Sequence, residues 1–200
     1  MPFRQKIVLL FISTMVILCF ASAYSLISST GTLRKEIFIH QITGYLKTEN
    51  IKLDKEQLRT ISSIVYEESI QHELDYRLIL AMMKVESNFR HDAVSSRGAR
   101  GLLQIKPSLA KHIAHYAGIE WSGNKTLDEP DNNIRIGVYF FAKLVDDFEN
   151  VNTALHAYNV GPTRAKLNGA GKNKPPKTYR GFPRIVMAEY EKNIAILPDP

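Results

Sequence analysis

Ile79, Met82, Met83 and Glu86 fall at i, i+3, i+4 and i+7, the spacing that sets four side chains on one face of a helix. Three are apolar and the fourth is a glutamate. A carboxyl group on an apolar stripe loses hydration of its charged form, which raises its pKa. An acid that keeps its proton near neutral pH can deliver it to a leaving group, which is the work of a general acid. Periodicity alone favours a plainer reading, a frayed helix end with Glu86 in water, because most helix glutamates are solvated. The residues downstream shift that balance.

Asn88 and Phe89 leave the helix, and Ser95-Ser96-Arg97-Gly98 is a turn cluster. Gly98 and Gly101 then bracket Leu102-Leu103, a run closed by Gln104 and Pro107. Two glycines so close let the backbone turn sharply or come near a ligand. Gln104 sits between Leu103 and Ile105, so if buried it needs hydrogen-bond partners. Glu86-Ser87, Ala93-Val94-Ser95 and the stretch GARGLLQIKP at 98–107 resemble the catalytic domain of soluble lytic transglycosylases. These are lysozyme-like enzymes that cleave the glycan strands of bacterial peptidoglycan. Asn133, Gly137 and Tyr139 sit in a block similar to that family's N-x-x-x-G-x-x-Y helix. Residues 154–162 are similar to its A-L-x-A-Y-N-x-G-P. Four blocks in family order, over roughly 78–179, make the resemblance specific. His91 stands where a proline is frequent and Val160 replaces the usual alanine, and neither departure touches the chemistry.

The resemblance implies a mainly α, lysozyme-like (goose-type) helical domain with a small β-hairpin, around 95–104, lining a long cleft. It implies cleavage of the β-1,4 bond between N-acetylmuramic acid and N-acetylglucosamine with formation of 1,6-anhydro ends. Glu86 would protonate the leaving oxygen and then, as a carboxylate, take the proton of the sugar's own C6 hydroxyl. One carboxylate can serve both steps because the nucleophile is intramolecular and already positioned, so the usual glycosidase pair is not required. Asp92, the nearest second carboxylate, is given turn formation only. Ser95 and Gln104 match family positions that face the substrate, Tyr158 one that orients it, and Tyr179 one in the closing block. Ser87 and Asn159 are expected to support these from behind. No cofactor and no metal are implied. His112 and His115 are spaced i, i+3, but with no third ligand nearby they read as surface histidines. The expected partner is the glycan strand, with no nucleic acid, in a monomer. Two other readings stay open: a hydrolytic muramidase using the same glutamate, and a glycan-binding component of an envelope-spanning assembly with its own protein partner.

These residues need a scaffold. The chain has 200 residues, 44% hydrophobic and 23% charged, enough for one sizeable domain. A net charge of +6 suits an anionic surface or polymer, and no aromatic-rich basic motif points to nucleic acid. Arg4 and Lys6, the apolar run 7–20 and Ala21-Ser22-Ala23 form the three parts of a secretory signal peptide, with the mature chain starting at Tyr24. The same run, extended to 27, approaches the length of a membrane anchor. Either version exports the body to the periplasm or the outer face of the cytoplasmic membrane. Residues 1–28 are thus an export segment or anchor, 29–72 a helical segment, and 73–197 the catalytic domain. Cys19 is the only cysteine, so the body holds no disulfide framework.

Helices are expected on a stripe of Leu33, Ile37, Gln41 and Tyr45, with Phe38 and Ile42 beside them, and after Asp54, whose partner Gln57 completes a capping box and whose helix carries Leu58, Ile61, Val65 and Ile70. Others should start near Asp75, at Pro107, at 129–131 and near Phe182, the last following a loop over 163–177. Asn152 and Thr153 offer caps for a short helix through Tyr158. Gly137 in the longest helix costs roughly 1 kcal/mol against alanine, which a close crossing would explain.

Overall fold

The computed structural model describes residues 3–49, 51, 53–167 and 181–200. Tyr179 and most of the expected 163–177 loop lie outside the described residues. Contacts divide the chain into two compact units, Met1–His40 and Gln41–Pro200. Helix α1 runs Phe3–Thr48. Among the described residues no helix is long and apolar enough to cross a membrane. The stripe expected on α1 is buried at Tyr45 and, beside it, at Ile42, but not at its start. Leu33 and Ile37 are exposed, whereas Ile42, Tyr45 and Leu46 are buried.

The second unit is built around α3 (Tyr76–Ser87). Asp75 caps it by accepting from the Arg77 amide at 2.8 Å, and residues 76–83 are all buried. Each large apolar side chain buried there contributes roughly 1.5–3 kcal/mol. Helix α2 (Lys55–Gln71) packs on α3 and starts with the expected capping box, Gln57 N to Asp54 Oδ1 at 2.8 Å and Asp54 N to Gln57 Oε1 at 3.0 Å. Ile70, expected on its buried stripe, is exposed; Ile64 and Glu68 take that face instead.

Downstream come α4 (Pro107–Ile113), a 3₁₀ turn at Ala114–Ala117 closed by left-handed Gly118, and a second 3₁₀ turn at Asn124–Leu127. The longest of the remaining helices is α5 (Pro130–Phe148), followed by α6 (Val151–Val160), α7 (Pro162–Leu167) and α8 (Phe182–Ile196). Helix α5 packs against α2 and α6, and α8 against α3 and α6. Helix α8 also ties down the start of α3. Asn193 Nδ2 donates to the Arg77 carbonyl at 2.9 Å, and the Tyr190 hydroxyl donates to Asp75 Oδ2 at 2.7 Å.

The mainly helical, lysozyme-like fold expected from the sequence is present, and three local expectations are corrected. Helix α6 is capped by Asn150, whose Oδ1 accepts from Thr153 N at 3.0 Å, and not by Asn152 or Thr153. Residues 163–167 are helical, because Pro162 occupies the first helical position where its missing N–H costs nothing. The hairpin at 95–104 is reduced to two isolated bridges, Val94 with Arg100 and Arg100 with Ile105. Left-handed backbone at Gly98, Gly101 and Gln104 turns the chain too often for paired residues to follow one another.

Candidate active site

Glu86 occupies the last turn of α3, half-buried, where the helix stops on two consecutive left-handed residues, Asn88 (φ 52°) and Phe89 (φ 59°). The amides of both bond back to the Met83 and Lys84 carbonyls, so the reversal is fully hydrogen-bonded. Non-glycine residues adopt this conformation rarely and persist in it where the surroundings impose it. Phe89 is driven into the core beside Tyr45, with ring centroids 6.1 Å apart and edge-on. Burial raises the Glu86 pKa from 4.5 to about 7, and no neighbouring charge contributes to that shift. The carboxyl therefore keeps its proton well above the ordinary carboxylate range.

Opposite lies the loop 100–106, held by side chains from three directions. The Ser87 hydroxyl lies 2.9 Å from the Leu102 carbonyl and 3.1 Å from its own helix's Met83 carbonyl. The Tyr158 hydroxyl, from the end of α6, donates to the Leu103 carbonyl at 2.7 Å. Asn133, fully buried on α5, accepts from Leu103 N at 2.8 Å and donates to the Arg100 and Leu127 carbonyls at 2.8 and 3.0 Å. A bidentate Arg100–Asp128 pair at 2.7 and 2.9 Å closes the base of the loop.

Two glycines permit this packing. At Gly137 a Cβ would lie 2.6 Å from Leu103 Cδ1, so α5 and the loop approach too closely for any side chain. That is the close crossing that offsets the helix penalty of Gly137. At Gly101 a Cβ would meet Asn133 Nδ2 at 2.1 Å, and the backbone is also left-handed, φ 76°.

Gln104 has the partners its apolar neighbours demand. Its Nε2 donates to the Ala93 and Gly101 carbonyls at 3.1 and 2.9 Å, while its Oε1 has no donor among the described residues. Tyr158 sits among Phe140, Phe141 and Phe182, with centroids 5.4, 6.0 and 6.4 Å away. Burial first, and then the charge of Glu86, push its phenol pKa well up, so it remains a neutral donor. The structure therefore ties Ser87, next to Glu86, and Tyr158 to the loop that carries Gln104.

Ser95 is set within its own turn. Its Oγ accepts from Ala99 N at 3.0 Å, and its amide donates to the Ala99 carbonyl at 2.9 Å. Asn159 is exposed, one residue beyond Tyr158. Asn133 stands in a motif that the sequence picks out, but its role of holding the loop was not read there. Its spacing of four from Gly137 was the available signal, since it places both on the α5 face that meets the loop. Among the described residues no group of three histidine, cysteine or acidic side chains could hold a metal ion.

Residues 63–179 match the family described as the Transglycosylase SLT domain. A transglycosylase of Enterobacteria phage PRD1 is 31% identical over 114 residues, covering 57% of this chain and 40% of that protein. The soluble lytic murein transglycosylase of Salmonella typhimurium is 32% identical over 120 residues, 58% of this chain and 19% of that one. The chain thus spans well under half of either relative. Among solved structures, lytic transglycosylase Slt of Pseudomonas aeruginosa, an inactive mutant, is 26% identical with a TM-score of 0.51, over 68% of this chain and 22% of that one. The 70 kDa soluble lytic transglycosylase of Escherichia coli superposes with a TM-score of 0.61 at 20% identity, over 82% of this chain and 31% of that one, a likeness of fold.

Proposed function

The chain belongs to the transglycosylase SLT domain family, and on that premise we propose that it is a peptidoglycan lytic transglycosylase. The observation that carries the reading is Glu86, a carboxyl raised to about 7 by burial alone. Protonated, it donates to the oxygen that leaves N-acetylmuramic acid C1 as that glycosidic bond breaks. The carboxylate left behind accepts the proton of the C6 hydroxyl as O6 bonds to C1, closing the 1,6-anhydro ring. No water is consumed, and Glu86 ends protonated as it began.

In this reading Gln104 presents its free Oε1 to the glycan, and Tyr158 fixes the Leu103 carbonyl on the far side of the loop. Ser87 anchors the catalytic turn to the same loop. Ser95, Asn159 and Tyr179 are assigned to the glycan and to the edge of its cleft on the resemblance of their motifs. Digestion of purified peptidoglycan should yield muropeptides whose masses are one water below those of reducing-end products. Products carrying the extra water would assign the chain to the hydrolases instead.

The homologous region is preceded by the basic, apolar and small-residue segments of 1–28, which we assign to export, with 29–72 and 73–197 forming the helical segment and catalytic domain. This puts the enzyme on the outer side of the cytoplasmic membrane, where its polymer lies. N-terminal sequencing of the fractionated protein should find Tyr24 first. Met1 retained in the membrane fraction would establish the anchor, and a cytoplasmic chain would defeat both versions.

A further inference from the structure

The loop that Ser87 and Tyr158 hold has a neck. Arg100 and Ile105 exchange both backbone hydrogen bonds, each at 3.0 Å, and pinch off residues 101–104 as a tongue carrying Gln104. Arg100 is bridged on its other side to Val94, so it is the middle residue of this small framework. Its carbonyl accepts from Asn133 Nδ2 at 2.8 Å as well as from the Ile105 amide. Its guanidinium reaches Asp128, the residue that ends the second 3₁₀ turn. Nε donates to Oδ1 at 2.7 Å and Nη2 to Oδ2 at 2.9 Å. Backbone and side chain of one residue thus fasten the neck to the segment 128–133.

The two side chains of this pair are 24% and 38% exposed. Ion pairs so open to water add little stability, because solvent screens them and long side chains lose freedom in forming them. Two parallel N–H···O bonds do, however, fix distance and direction together. Little stability with much geometry suits a positioning role. The group positioned is the tongue, whose Leu102 carbonyl meets Ser87 beside Glu86 and whose Gln104 is bonded to the Ala93 and Gly101 carbonyls. Charge is not the means, since burial alone shifts the Glu86 carboxyl. We propose that Arg100 and Asp128 are positioning residues of the transglycosylase reaction, holding the tongue so that Gln104 meets the glycan while Glu86 transfers protons. The inference rests on the lytic transglycosylase reading and adds two residues to it.

Arg100→Lys, Arg100→Gln, Asp128→Asn and the double variant Arg100→Gln/Asp128→Asn test this in the full chain. Lysine keeps the charge but cannot make two parallel bonds. Misplacement of a reacting group by about 1 Å can cost ~10²-fold in rate. Each single variant, lysine included, should therefore lose roughly tenfold in kcat on purified peptidoglycan, with KM within about twofold of wild type. The double variant should lose no more than the worse single one, because the two residues act as a unit. Melting temperatures should stay close to wild type, and the pH at which the rate falls should stay near 7, where burial sets Glu86. Hydrogen exchange gives a readout besides activity. The Leu103 and Ile105 amides, bonded to Asn133 Oδ1 and the Arg100 carbonyl, should exchange roughly tenfold faster in the variants, with α3 unchanged. Unchanged exchange at these two amides, additive losses in the double variant or a shifted pH midpoint would each overturn the proposal. An inert wild type would remove the enzymatic reading and this inference with it, whereas an active wild type whose Arg100→Lys variant keeps full kcat would remove this inference alone.

Discussion

Glu86→Gln is expected to lower kcat on purified peptidoglycan by ~10⁴-fold or more while leaving the fold and glycan binding in place. General acid or base assistance is worth ~10²–10⁴-fold for a single step, and here one residue serves two. The amide keeps the shape of the acid but has no proton to deliver and cannot become a carboxylate. Stability should change in the opposite direction, with a pH dependence set by the raised pKa. The folded value of about 7 lies above the ordinary 4.5, so the fold favours neutral Glu86. The stability that this group contributes is complete below pH 4.5 and is lost as pH rises through 7, roughly 3 kcal/mol in all. Glutamine never takes the charge. The melting temperature of Glu86→Gln should therefore equal that of wild type in acid, rise above it between pH 4.5 and 7, and stay above it at higher pH. Turnover of wild type should fall as pH rises past 7 and the acid loses its proton. Rates and thermal melts of both proteins across this range check all three statements. An active Glu86→Gln enzyme would end the mechanism, and a melting difference that ignores pH would show a hydrated carboxyl.

Glu86 stood out in the sequence through the motifs that follow it, since its place at the end of an apolar stripe alone fits a solvated helix end as well. Gln104 was legible for another reason, since an amide flanked by leucine and isoleucine must find partners, and it found the Ala93 and Gly101 carbonyls. What stayed hidden depends on partners that carry no sequence signal. Asn133 works through backbone groups of Arg100, Leu103 and Leu127, which any residue types would supply. The hairpin was overstated because its two glycines fit a turn between strands as well as the repeated turns actually present. Helix α7 is hidden because the lysine, glycine and proline content of 163–177 reads as a loop, whereas Pro162 starts a helix there.

Gly101→Ala should cost roughly 3–5 kcal/mol of stability and most of the activity with it, a size reached only by a few named mechanisms. Two of them act together here. The left-handed φ of 76° disfavours any residue with a Cβ, by about 1–2 kcal/mol. The methyl would also stand 2.1 Å from Asn133 Nδ2 and 2.8 Å from the Leu127 carbonyl, distances no real contact tolerates. Asn133 cannot swing aside cheaply, because it is fully buried and holds three backbone groups. Leaving one such group unpaired costs about 1–3 kcal/mol. Displacing it also frees Leu103, whose carbonyl Tyr158 grips, so the loop facing Glu86 loses its position as well as its stability. Gly98→Ala separates the two causes. Its φ of 75° is nearly the same, but nothing lies within 4 Å of the added methyl, so only the conformational cost of about 1–2 kcal/mol should remain. Denaturant unfolding of the two variants, with rates on peptidoglycan, gives the comparison. If Gly101→Ala proves no less stable than Gly98→Ala, Asn133 does not hold the loop, and the positioning of the site must be sought in Ser87, Tyr158 and the Arg100–Asp128 pair.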